Sequence, residues 1–225
     1  MTSSGWTGRC ARWWPRASVM GARGRAGAAL ALALLLAGCS RAIGSGEVRA
    51  DFLVQDCPPG EVNGGLEDYR YDAGFLGTAR FQGSVTLQIF KHRSLPEETD
   101  GLAVRLDLNA LQQSGILVLD QSAGRLVLAT SPTALPVAFQ NPVGAEVNLS
   151  LFGTCPDFPT VHGVEGTVTF DELRFALDPE GTGIDERVVG TLTASVARGT
   201  PLQVVGQLDA VFEFEVPKRP LMTFE

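Results

Sequence analysis

Beyond its first 38 residues the chain has no tryptophan and few tyrosines, histidines or lysines that could carry out recognition or catalysis. All three tryptophans lie in the first 14 residues, and the remainder has two tyrosines, two histidines and two lysines. So few tyrosines and tryptophans disfavour an aromatic platform for carbohydrate. His92 and His162 have no ligand or acid–base partner at close spacing, so both are interpreted as solvated loop residues.

The charge balance and the missing motifs exclude further classes of function. Residues 39–225 contain 13 Lys and Arg against 25 Asp and Glu, a net charge of −12. Nucleic acid and anionic lipid headgroups require a basic face, so neither is expected as a partner. There is no Gly-x-Ser-x-Gly, no phosphate-binding glycine loop before a helix and no His-Glu-x-x-His. We therefore predict a non-catalytic protein without a cofactor.

The N-terminal segment has the organisation of an export signal. Arg23 and Arg25 precede an apolar or glycine run over residues 26–37. This run is too short to span a bilayer as a helix, but it has the length of a secretory signal core. We predict that residues 1–38 are a signal peptide, for which Met20 would be a sufficient start.

The tetrapeptide Leu36-Ala37-Gly38-Cys39 that ends this run resembles the lipobox of bacterial lipoproteins. The resemblance covers residues 20–39 only, and the rest of the chain resembles no family that we can name. It implies a diacylglyceryl thioether and an acylated amino group on Cys39, enough for stable membrane attachment. Ser40 stands where an aspartate would favour inner-membrane retention, so the resemblance implies the outer membrane of the cell envelope. Residues 39–47 would then be the lipidated cysteine and a short tether.

Three cysteines remain after signal removal, and lipidation of Cys39 would leave Cys57 and Cys155. In an exported protein an even pair predicts one disulfide. The chain-entropy model assigns a loop of about 100 residues a stabilisation of roughly 4–5 kcal/mol. The alternative, a metal-binding or catalytic thiol, is poorly supported because neither cysteine has a second cysteine or a histidine at ligand spacing.

One acidic stretch is a weak candidate for binding calcium. Asp178, Glu180, Asp185 and Glu186 lie within nine residues that include two glycines. Carboxylate oxygens suit a hard cation, but the EF-hand's flanking helices and its bidentate glutamate are missing. A soluble turn is the preferred interpretation, so no metal site is predicted.

Alternating apolar and polar residues predict an all-β domain over residues 48–225. Val48, Ala50 and Phe52 begin this pattern, and only residues 109–114 favour a helical turn. We predict an antiparallel β-sandwich of about 8–10 strands, with a closed, calycin-like β-barrel as the alternative. Tyr69-Arg70-Tyr71 could form a ligand loop, but packing over the end of the strands is favoured.

Glycines begin several of the alternating strands and add detail to this prediction. Each of these glycines falls at a position where alternate side chains point into the core: Gly83, Gly166, Gly190 and Gly206. A missing side chain there allows the strand to bend or an aromatic ring to pack across it. The apolar parity switches across Asp171-Glu172, which predicts a β-bulge there.

Two functions remain for a lipid-anchored β-domain. It could be an interaction or structural module of the envelope, which leaves room for an envelope protein partner besides the membrane. Alternatively, it could be a calycin-like carrier of a small apolar ligand. A carrier needs an enclosed, mostly apolar cavity of several hundred Å³, whereas an interaction module needs none.

Overall fold

The computed structural model describes residues 40–52, 66–92, 99–138, 141, 143–155, 160–177 and 186–217. Within these ranges the chain is almost entirely strand, with one short helix, α1 (Leu108–Gln113). The strands are β1 (Ser40–Arg41), β2 (Ile43–Phe52), β3 (Leu66–Asp72), β4 (Phe75–Phe81), β5 (Ser84–Phe90), β6 (Asp100–Asp107), β7 (Leu117–Asp120), β8 (Arg125–Leu128), β9 (Thr133–Pro136), β10 (Ala145–Leu151), β11 (Thr160–Ala176), β12 (Glu186–Arg198) and β13 (Gln203–Val216).

All of these strands belong to one hydrogen-bonded antiparallel sheet, which curls around a single core. Its main path runs β1-β4-β5-β6-β10-β11-β12-β13-β2-β3, while β8 and β9 pair with β11 and β7 pairs with β8. β1 and β2 follow each other within residues 40–52, and β3 and β4 within residues 66–81. Because β1 bonds to β4 and β2 bonds to both β3 and β13, the C-terminal strand lies beside the N-terminal one.

The all-β, antiparallel prediction is confirmed. The strands form one open, curled sheet, a half-barrel, which differs both from the two separate sheets of the predicted sandwich and from the closed barrel of the alternative. The long strands β11, β12 and β13 bond to one another in turn, and β13 continues into β2. The chain therefore never changes between two separately bonded sheets.

The domain starts earlier than the sequence predicted. Residues 40–47 were expected to be a tether, but they form β1 and most of the first half of β2. Ala42 and Gly46 are buried and continue the inward parity of Val48. The sequence pattern did not reveal this strand because its inward positions hold small residues. Alanine and glycine give only a weak apolar alternation.

Large side chains fill the inside of the curled sheet. Alternate residues of each strand point inward, as the period of two requires. Five phenylalanines are fully buried: Phe52, Phe170, Phe175, Phe212 and Phe214. Each such side chain contributes about 1.5–3 kcal/mol relative to leaving it exposed.

The predicted bulge is confirmed. The register of β11 against β12 shifts between Phe170 and Glu172. Phe170 and Leu173 are both buried, although they are an odd number of residues apart. The extra residue at the bulge re-aims the strand, so both halves of β11 contribute to the core.

The glycine prediction holds for the long strands and fails at Gly83. A Cβ on Gly190 would lie 2.5 Å from the carbonyl oxygen of Thr169 and 3.1 Å and 3.2 Å from ring carbons of Phe212 and Phe170. Gly166 and Gly206 are similarly close to the neighbouring backbone. Gly83 is instead exposed in the two-residue turn between β4 and β5, where Gln82 and Gly83 have φ of 48° and 82°. Such a hairpin turn requires positive φ, which glycine adopts easily.

Gly190→Val tests this packing directly. We expect it to lower the free energy of unfolding by about 1–3 kcal/mol or more, because the valine must displace two packed rings and a backbone carbonyl. The matched control is Thr191→Val, since Thr191 is exposed on the outer face and valine also favours strands. Denaturant midpoints measured for both variants should differ clearly, and equal midpoints would show that the inward parity is wrong.

Candidate functional site

The most highly connected polar group in the described structure is the carboxylate of Asp100, the first residue of β6. Asp100 is fully buried. Its Oδ1 accepts the backbone N–H groups of Gly153 and Thr154, both at 2.9 Å. Its Oδ2 accepts the Tyr69 hydroxyl at 2.7 Å and the Thr154 hydroxyl, and lies 3.4 Å from Lys91 Nζ. We call these five residues the Asp100 cluster.

The protonation states in this cluster are fixed by its geometry. Burial opposes ionisation of Asp100, but hydrogen bonds from Thr154 and Tyr69 outweigh it and hold the pKa of the carboxyl below its ordinary value. Burial, reinforced by the bond to Asp100, raises the pKa of Tyr69. The carboxylate is therefore charged and the phenol neutral near pH 7, a state in which the cluster can hold its three chain segments together.

The two tyrosines pack into the core from a strand, whereas the sequence analysis favoured packing over the end of the strands. Both lie in strand β3 and are buried, whereas Arg70 between them is exposed. The Tyr71 hydroxyl donates to the carbonyl of Ile89 at 2.8 Å. The two rings meet edge to face with centroids 5.9 Å apart, and Lys91 Nζ lies 5.8 Å from the Tyr69 ring centroid. The ligand-loop interpretation of this segment therefore gains no support.

Cys155 directly follows the Asp100 cluster. It is buried and disulfide-bonded, and its N–H donates to the carbonyl of Leu151 at 2.6 Å. Cys57, its predicted partner, lies outside the described residues, so the pairing stays a prediction. The lipidation candidate Cys39 also lies outside them.

Of the four calcium candidates, the structure describes only Glu186, since Asp178, Asp185 and Glu180 lie outside the described residues. Glu186 is buried at the start of β12. Its carboxylate accepts the Thr78 hydroxyl at 2.6 Å and forms an ion pair with Arg80, whose guanidinium carbon lies 5.5 Å from the Phe175 ring centroid. Its oxygens are thus engaged by partners within the protein.

The two histidines occupy different environments. His92 is exposed just after β5, as predicted. His162 is half-buried within β11, not in a loop, and its Nδ1 lies 2.5 Å from Asn148 Oδ1 on β10. The predicted loop was wrong because β11 already begins at Thr160. In the described part of the chain, no group of three or more His, Cys, Asp or Glu is placed to hold a metal ion.

The outer face of the sheet carries further ion pairs and two surface depressions. Arg187 forms ion pairs with Glu172, Glu213 and Glu215, and the hydrogen bonds to Glu172 and Glu213 raise its pKa. Two surface depressions of about 430 and 280 Å³ are both lined by Ile43 and Gly44. Neither is enclosed by the sheet, whose interior is occupied by the phenylalanine core.

Comparison with known proteins adds no assignment. No protein-family model matches the chain, and neither a curated protein nor a solved structure is significantly similar to it. Among the residues that the structure describes, no helix is long and apolar enough to cross a membrane.

Asp100→Asn should destabilise the domain by about 2–4 kcal/mol at pH 7, because an amide cannot accept all five donors and leaves buried groups unpaired. Urea unfolding measures this loss. The matched control is Asp209→Asn, an exposed aspartate with one hydrogen bond to Thr193, which should cost under about 0.5 kcal/mol.

The same pair of proteins tests the electrostatics. Because the folded-state pKa of Asp100 is lowered, its stabilisation is complete above about pH 5 and is lost as the pH falls through that lowered value. The stability difference between the natural protein and Asp100→Asn should therefore shrink in acid. A difference that stays constant down to about pH 2 would contradict the role given to the carboxylate.

Proposed function

We propose that this chain is a lipid-anchored lipoprotein of the bacterial envelope whose β-domain acts by non-catalytic contacts with a protein partner. The proposed location in the envelope is inferred from the lipobox resemblance of residues 36–39, and Ser40 favours the outer membrane. The filled interior of the sheet is the observation that supports contact at the surface over the alternative of ligand carriage.

A carrier needs room inside the sheet for its ligand. The inward positions are instead occupied by five buried phenylalanines together with leucines and valines. The two buried carboxylates of the described residues are already paired: Asp100 with its five donors, and Glu186 with Thr78 and Arg80. These features support an interaction or structural module over a calycin-like carrier.

The lipid anchor is tested by Cys39→Ala. We expect the variant to lack bound palmitate and to be released from the membrane fraction by washing, because its thiol is the attachment point. The matched control is Cys10→Ala, which lies in the predicted signal peptide and should leave lipidation unchanged. Radiolabelled palmitate still incorporated into Cys39→Ala would overturn the anchor.

The choice between partner and carrier is tested by native mass spectrometry of protein extracted from the envelope in mild detergent. The interaction module predicts the mass of the lipidated chain alone, or that of its complex with a defined protein at constant stoichiometry. A small apolar molecule retained at one copy per chain, after the covalent lipid has been counted, would instead establish the carrier.

A further inference from the structure

The sheet begins at the residue that follows the predicted lipid anchor. β1 starts at Ser40, so no tether separates Cys39 from the folded domain. We propose that the rim of the sheet at Ser40 lies against a zwitterionic phospholipid bilayer, with Phe81 in the headgroup layer. This proposal rests on the lipid anchor of the proposed function and adds an orientation to it.

Several segments share this rim with Ser40. Ser40 pairs with Thr78 of β4, which ends three residues later at Phe81. Phe81 pairs with Ser84 across the turn, and the N–H of Leu108 at the start of α1 donates to the carbonyl of Gly83. We call these segments, Ser40, residues 81–84 and the start of α1, the Ser40 rim.

Covalent geometry brings the bilayer to this rim. The Cα atoms of Cys39 and Ser40 are one peptide apart, about 3.8 Å. Phe81 lies three residues along the strand from the partner of Ser40, roughly 10 Å. The polar interfacial layer of a membrane is about 5–8 Å deep on each side. Acyl chains on Cys39 therefore hold the Phe81 side chain within reach of the interface.

The side chains at the Ser40 rim suit a zwitterionic surface. The Phe81 side chain is 62% exposed, and the adjacent turn and helix present uncharged Gln82 and Asn109. The described carboxylates at this end are engaged within the protein. Asp107 caps α1 by accepting the N–H of Ala110 at 3.0 Å, and Glu186 accepts the hydroxyl of Thr78 and forms an ion pair with Arg80. Single exposed apolar residues are common on proteins. Phe81 differs because it stands beside the anchor, where aromatic rings favour the membrane interface.

The opposite end of the sheet would then face away from the bilayer. It holds the Asp100 cluster and the start of β13, where Val204 is 64% exposed. Val204 is thus an exposed apolar residue far along the sheet from Ser40, and it serves as the matched control for Phe81.

The absence of tryptophan from residues 39–225 makes a single-tryptophan experiment possible. Phe81→Trp and Val204→Trp are purified with their lipid and placed in phosphatidylcholine vesicles. Both positions are exposed, so the substitutions should leave folding intact. We expect the emission of the tryptophan at position 81 to shift to shorter wavelength and to be strongly quenched by lipid brominated near its headgroup. The tryptophan at position 204 should show neither effect.

Two results would overturn the proposal, and they are distinguishable. Equal, weak quenching at positions 81 and 204 in protein whose intact mass includes the lipid would refute the orientation and leave the anchor standing. An intact mass without acyl groups on Cys39 would remove the anchor itself, and the orientation with it.

Discussion

A single buried carboxylate holds one end of the sheet together. Moving a charge out of water costs several kcal/mol unless the protein supplies equivalent partners. Asp100 receives these partners from three separate places: Tyr69 on β3, Lys91 after β5, and the backbone of Gly153 and Thr154 after β10. Movement of any of these three segments would leave the buried charge with fewer hydrogen-bond donors. The carboxylate therefore holds all three in place, including the turn that leads to the disulfide-bonded Cys155.

A second anchor works at the other end by the same principle. Glu186 on β12 reaches Thr78 and Arg80 on β4, two strands that are not neighbours in the sheet. The ion pair therefore crosses the core and does not follow a sheet ladder. With both ends tied and phenylalanines between them, the interior of the sheet is packed for stability.

The features that were predicted correctly from the sequence are those that follow from the local alternation of apolar and polar residues. The strands, the bulge at Asp171-Glu172 and the inward parity of Gly190 all depend on residues within one or two strands. The single curled sheet, the engagement of Asp100 and Glu186, and the position of His162 depend on partners far along the chain. Glu186 was therefore interpreted as part of an acidic, soluble turn, and Asp100 was not singled out.

Native-state hydrogen exchange of the Gly153 and Thr154 amides tests the central role of Asp100 most directly. Both N–H groups donate to its buried carboxylate from a turn with no strand ladder to protect them. If the carboxylate anchors this end, their exchange at pH 7 should require an opening whose free energy approaches that of global unfolding. Exchange at nearly the rate of an unprotected loop would show that the turn opens independently and that Asp100 does not hold it.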